Sequence, residues 1–174
     1  PKAKDAIKKL GNELHLYPDG GALKLKMQIA KLESVSIDQI IVGNGSNEIL
    51  EFAARAFLNK DSSAVMSKHA FAVYKIVTQS HGSKIIEVPM INWKHDLSSF
   101  KNYLEDNTRV IFVANPNNPT GTYNTNKEFK EMMERIPSSV LVVLDLAYFE
   151  YVDSDDYVNT NELLSEYKNL LITK

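Results

Sequence analysis

Val113-Ala114-Asn115-Pro116-Asn117-Asn118-Pro119-Thr120-Gly121 is the stretch whose reading decides the fold. Before it runs Arg109-Val-Ile-Phe-Val-Ala114, apolar enough for a buried strand. After it, Thr125 to Met133 has the spacing of an amphipathic helix. A strand that stops abruptly in prolines, asparagines and a glycine makes a stiff turn at the carboxyl edge of a sheet. Open α/β sheets bind their ligands at that edge. Asn, Pro and Gly are ordinary turn residues. Two asparagines and two prolines before Thr-Gly are more than a turn needs, so Asn118 is read as a side chain held in place to donate a hydrogen bond.

Working outward toward the amino end, residues 68–77 read as a helix entered from a strand at 63–67. Phe71 falls in its first turn and offers a flat apolar face, with Tyr74 one turn on as the alternative. Further back, Gly43-Asn44-Gly45-Ser46 breaks a short strand at 40–42 and feeds a helix over 47–58. Such a turn exposes unpaired N–H groups at the positive end of the helix dipole and suits a phosphate. No Walker lysine follows the glycines and no third glycine stands in dinucleotide register, so both nucleotide fingerprints fail. Ser46 and Asn47 are therefore candidates for a small monophosphate. The amino-terminal part reads as a helix over 3–10 stopped by Gly11, an extended piece Leu14 to Gly21 with Tyr17 in it, and a helix over 22–32.

Between the two informative loops, 84–88 is a strand, 92–96 a loop whose Trp93 is assigned to packing, and 97–105 a helix. Toward the carboxyl end, Ser138 to Asp145 is a buried strand that ends on a carboxylate. A buried charge needs a partner. Then come a polar loop at 156–158, a helix over 161–167 and a last strand over 169–173. Strand and helix alternate throughout, which predicts an α/β fold with a mostly parallel sheet and helices on both faces. The informative turns all follow strands, so positions 46, 71, 118 and 145 converge on one edge.

The 174 residues are enough for one domain with a real core, and 44% apolar and 24% charged content are ordinary for a globular protein. A net charge of −2 gives no electrostatic reason to expect nucleic acid or an anionic membrane. The absence of cysteine fits a reducing cytoplasm. No apolar run approaches a membrane span, and the start Pro1-Lys-Ala-Lys-Asp-Ala-Ile-Lys-Lys is amphipathic and charged, unlike a signal peptide. His15, His69, His81 and His95 are scattered without ligand spacing, so no metal site is expected. No serine stands in a Gly-x-Ser-x-Gly elbow, which leaves a hydrolase triad unsupported.

Asn117-Asn118-Pro119-Thr120-Gly121, followed after a helix by a strand ending in Asp145-Leu146-Ala147-Tyr148, resembles the fold-type-I pyridoxal-phosphate (PLP) aminotransferases, and within them the histidinol-phosphate aminotransferase family. Tyr17-Pro18-Asp19 and Gly43-Asn44-Gly45-Ser46-Asn47-Glu48 support the likeness, which runs over essentially the whole chain. The resemblance implies an incomplete large PLP-binding domain over 1–174, with the small domain and the Schiff-base lysine elsewhere. It also implies pyridoxal 5'-phosphate as cofactor. Asp145 would pair with the pyridinium nitrogen, Asn118 and Tyr148 would bond the phenolic oxygen, and Phe71 would stack on the ring. Ser46 and Asn47 would hold the phosphate, and Tyr17 would reach the phosphate of a partner in a homodimer. The implied reaction passes an amino group between glutamate/2-oxoglutarate and histidinol phosphate/imidazole-acetol phosphate. Leu146 stands where the family has Glu, and Lys174 lacks the preceding Ser of the family's Ser-Lys, so the chain alone is expected not to transaminate. Alternatives are a threonine-phosphate decarboxylase, an aromatic or aspartate aminotransferase, or a non-catalytic α/β phosphate-binding module.

Overall fold

The computed structural model describes residues 2–174, the side chain of residue 12 excepted; Pro1, quoted above in the amphipathic start, lies outside the described residues. The chain divides into two compact units, Pro1–Ile41 and Val42–Lys174.

The first unit holds α1 (Lys2–Lys9) and α2 (Leu23–Glu33), with short 3₁₀ turns at Leu10–Glu13 and Ile37–Gln39. Asp19 organises the entry to α2. Its carboxylate accepts the N–H groups of Gly21 at 3.0 Å and Leu23 at 2.7 Å, which satisfies donors that a helix start leaves free. No described side chain of this unit is buried. The strand expected at 40–42 is not formed. A three-residue extended piece needs a neighbour to pair with, and among the described residues it has none.

The second unit is built on a five-stranded sheet. Its elements are α3 (Ser46–Phe57), β1 (Ser63–Ser67), α4 (Ala72–Ser80), β2 (Lys84–Val88), β3 (Met90–Ile91), β4 (Lys94–His95), β5 (Thr108–Ala114), α5 (Asn126–Met133), β6 (Leu141–Asp145), α6 (Thr160–Glu166) and β7 (Leu170–Thr173). The sheet order is β2-β1-β5-β6-β7 and every pairing is parallel. Strand periodicity divides the core in two. Ala64, Met66, Val110, Phe112 and Val143 face Leu50, Ala53 and Ala54 of α3 and Tyr74 and Val77 of α4. Val65, Ile111, Val113, Val142 and Leu144 face Phe129, Met132, Leu163 and the 3₁₀ segment Leu97–Tyr103. With both faces covered, the strands are near-continuous apolar runs, as parallel sheets require.

Three local expectations are corrected. The helix expected over 97–105 is a 3₁₀ helix that ends at Tyr103. Residues 92–93 are not part of an open loop but the turn of the β3–β4 hairpin, with Asn92 at φ 49° and Trp93 at φ 63°. Positive φ at both central positions is what a two-residue hairpin of the native twist demands. That geometry leaves Trp93 62% exposed, packed on the His69 ring at 5.2 Å and not in the core. The strand expected from Ser138 begins at Leu141, because Val140 N–H closes a turn on the Pro137 carbonyl at 3.0 Å.

Candidate active site

The sheet order contains one reversal. From β1 the chain steps outward to β2, then returns past β1 to β5 and continues the other way. The loops after β1 and β5 therefore diverge and leave a crevice, which is where open α/β sheets hold ligands. A cavity of about 140 Å³ lies there, lined by Ser46, Phe71, Tyr74, Ala114, Asn118, Asp145 and Tyr148 among others. It opens beside a groove of about 480 Å³ that shares Pro116, Asn118 and Tyr148 and continues to Tyr123, Tyr151 and Ser154.

Asp145 is the last residue of β6, in register with Ala114 and Thr173. Two residues after Val143, it shares the face toward α3 and α4. It is 4% exposed. Its Oδ2 accepts the Tyr74 hydroxyl at 2.9 Å and its Oδ1 accepts the Ala147 N–H at 3.2 Å. Burial, and then the charge and hydrogen bond of Asp145, push the Tyr74 hydroxyl well above its ordinary pKa, so it stays protonated and donates. Tyr74 is therefore not a second ring-stacking candidate. Its ring is committed to Phe112, at 5.0 Å and 7°.

Phe71 precedes α4 instead of lying in its first turn, a correction that follows from the turn closed by Ala70 N–H on the Ser67 carbonyl at 3.2 Å. The half-buried ring lines the cavity all the same. Ser46 is the first residue of α3, and Gly45 before it has φ 76°. Gly43 sits against the Glu48 carboxylate, where a Cβ would come within 3.0 Å. Ser46 lines the cavity, whereas Asn47 is exposed on the first turn. The first N–H groups of α3 have no partner within the helix.

The loop after β5 uses its asparagines unequally. Asn115 N–H bonds the Asp145 carbonyl at 2.8 Å, and its side chain exchanges two bonds with the Asn124 backbone, at 2.9 and 2.8 Å. Asn117 donates to the His69 carbonyl at 3.0 Å and to Thr120 Oγ1 at 2.8 Å. Asn124 donates to the His95 carbonyl at 3.1 Å. Asn118 lines both cavities, and among the described residues no protein group takes up its side-chain amide. Tyr148, 46% exposed, stands at the rim common to the two. Tyr17 belongs to the first unit and is 99% exposed.

Sequence reading missed His95. Its side chain is buried at the end of β4, with Nε2 facing the Ala114 carbonyl at 2.8 Å and Nδ1 facing Ser67 Oγ at 2.6 Å. It thus joins the last residues of β1 and β5, from which the Phe71 and Asn118 loops spring. A carbonyl only accepts, so Nε2 carries the proton and Nδ1 accepts from the serine. Burial lowers its pKa, which keeps it neutral. The sequence carried no signal for it, since His95 stands in the polar run Asn92-Trp93-Lys94-His95-Asp96 that reads as a loop.

A buried acid, a flat apolar ring and a helix start around one small crevice suit a flat cationic ring with an anionic tail. The chain belongs to the family "Aminotransferase class I and II", whose model matches residues 1–174. It is 48% identical over 174 residues to histidinol-phosphate aminotransferase 2 of Pseudomonas fluorescens, covering all of this chain and 47% of that protein. The histidinol-phosphate aminotransferase of Sinorhizobium meliloti, solved with pyridoxal-5'-phosphate, superposes with a TM-score of 0.92 at 23% identity, over 99% of this chain and 47% of that one. The L-threonine-O-3-phosphate decarboxylase of Porphyromonas gingivalis gives 0.78 at 23% identity, over 98% and 49%. The chain spans about half the length of the curated relatives it matches. At such identities the two structures share the fold and do not separate one reaction from the other.

Proposed function

We propose that this chain forms the cofactor-binding part of a pyridoxal-phosphate-dependent aminotransferase that exchanges an amino group between glutamate/2-oxoglutarate and histidinol phosphate/imidazole-acetol phosphate. The observation that carries the reading is Asp145, a buried carboxylate with two internal donors, lining one cavity with Ser46, Phe71, Asn118 and Tyr148. The substrate assignment rests on the 48% identity to a named histidinol-phosphate aminotransferase.

These residues fit the cofactor. When bound, pyridoxal phosphate supplies an electron sink that its ring nitrogen sharpens when protonated. Asp145 holds that proton by charge pairing. Phe71 offers a flat face to the ring, and Asn118 and Tyr148 donate hydrogen bonds to its phenolic oxygen. Ser46 and Asn47, with the first N–H groups of α3, receive the phosphate. No lysine lines either cavity among the described residues, which supports a covalent anchor outside them and an inactive isolated chain. The protein acts as a homodimer, in which Tyr17 reaches the partner's phosphate. Ile7, Leu14 and Leu32, each more than half exposed, give the first unit an apolar surface that a second copy would cover. The lack of cysteine supports a cytoplasmic location. Among the described residues, no helix is long and apolar enough to cross a membrane.

The test is an assay of the full-length protein on histidinol phosphate with 2-oxoglutarate, beside threonine phosphate, with sedimentation of the same preparation. Glutamate formation from a dimer is expected, with the isolated chain silent. Release of carbon dioxide from threonine phosphate, or turnover by the isolated chain, would contradict the reading.

A further inference from the structure

We propose that Tyr74 is the positioning residue that ties the Phe71 ring to the Asp145 carboxylate, so that one side chain sets both the apolar face and the acid of the cofactor site. This rests on the pyridoxal-phosphate reading and extends it by one residue that acts through Phe71 and Asp145.

Three contacts fix Tyr74, which is fully buried. Its face stacks on Phe112 of β5 at 5.0 Å. Its ring and the Phe71 ring meet at 5.7 Å and 88°, the T-shaped arrangement that aromatic quadrupoles favour. Its hydroxyl donates to Asp145 Oδ2 at 2.9 Å. The backbone reinforces the pair, since Tyr74 N–H bonds the Phe71 carbonyl at 3.2 Å. A rotation of the tyrosine ring would lose all three side-chain contacts together.

The direction of the hydroxyl bond matters for the chemistry. A carboxylate only accepts, so the proton belongs to Tyr74. With Tyr74 on one oxygen and Ala147 N–H on the other, the Asp145 carboxyl group is held in a fixed plane. Each oxygen keeps acceptor capacity for a cation in the cavity. Removing the hydroxyl takes the donor from Oδ2 and loosens the plane in which the carboxylate meets the ring nitrogen, so the proton on that nitrogen is held less firmly. A tyrosine that merely fills the core would have no such effect.

Ring-labelled ¹⁵N pyridoxal phosphate bound to the full-length protein reads this directly. In the unaltered protein the nitrogen resonance should stand at the pyridinium position through neutral pH. Tyr74→Phe keeps the ring and both aromatic contacts. It should bind the cofactor roughly tenfold more weakly, as for loss of one charge-assisted bond, with the resonance displaced toward neutral pyridine. Phe71→Leu keeps the hydroxyl and should weaken binding while leaving the nitrogen protonated. An unchanged resonance in Tyr74→Phe, or a neutral nitrogen in Phe71→Leu, overturns the role given to Tyr74 and leaves the site intact. A neutral nitrogen or no binding in the unaltered protein overturns the site reading and this inference with it.

Discussion

Asn117 and Asn118 are neighbours with opposite duties. Asn117 is 2% exposed and donates to His69 and Thr120, so it holds the loop. Asn118 lines the cavity and spends nothing on the fold. Asn117→Ala should cost about 1–3 kcal/mol of stability, the range for stripping buried polar groups of a partner. Asn118→Ala should change stability by less than about 0.5 kcal/mol, as for surface positions, yet lower turnover by roughly 100-fold if it stabilises charge on the ring oxygen. Urea unfolding and steady-state rates of the two variants of the full-length protein check this; equal stability losses would remove the distinction. The sequence made Asn118 legible because prolines flank a surplus asparagine. It could not divide labour among Asn115, Asn117 and Asn124, because their partners lie on other elements. Tyr74 was hidden for the same reason. Its hydroxyl meets a carboxylate 71 positions away, and only the packing of α4 on the Val143 face of the sheet brings them together.

At the scale of elements, the β3–β4 hairpin acts as a clasp over the two site loops. Thr122 Oγ1 bonds the Trp93 carbonyl at 2.7 Å, Lys94 pairs with Glu128 at 2.7 Å, and His95 joins Ser67 to Ala114. Glu128 also closes a capping box with Thr125 at the start of α5, so one carboxylate serves the helix and the hairpin. His95 gives the clasp a pH dependence. Its folded pKa lies below its ordinary value of 6.5. The unfolded chain therefore binds the proton first, and stability is full above about pH 6.5 and falls as pH drops through the folded pKa. Melting temperatures from pH 7.5 to 5 should decline more steeply in the unaltered protein than in His95→Gln; parallel slopes would remove His95 as the cause. The long strands were readable from apolar runs alone. The hairpin was not, since its strands are two residues each and Trp93 is no usual resident of a left-handed turn. Phe71 stands just before α4 because the helix starts at Ala72, four residues later than expected, and the turn at 68–70 has no proline or glycine to mark it.

At the scale of the whole second unit, topology does the gathering. A parallel sheet ordered β2-β1-β5-β6-β7 puts every strand exit on one edge, and the reversal beside β1 opens that edge between the Phe71 and Asn118 loops. The register of Ala114 with Asp145 then sets the acid at the foot of the opening. Alternation of strands and helices was enough to foresee this convergence. The sequence says less about the first unit, whose helices bury no described side chain and whose Tyr17 is exposed. The central claim is that these loops surround a phosphorylated pyridine ring with an acid at its nitrogen. A crystal structure of the full-length protein soaked with pyridoxal phosphate tests it most directly. The account predicts the ring nitrogen at about 2.7–2.9 Å from an Asp145 oxygen, the distance of a charge-assisted bond, with the phosphate at the start of α3. A cofactor bound in the outer groove, with its nitrogen away from Asp145, would contradict it.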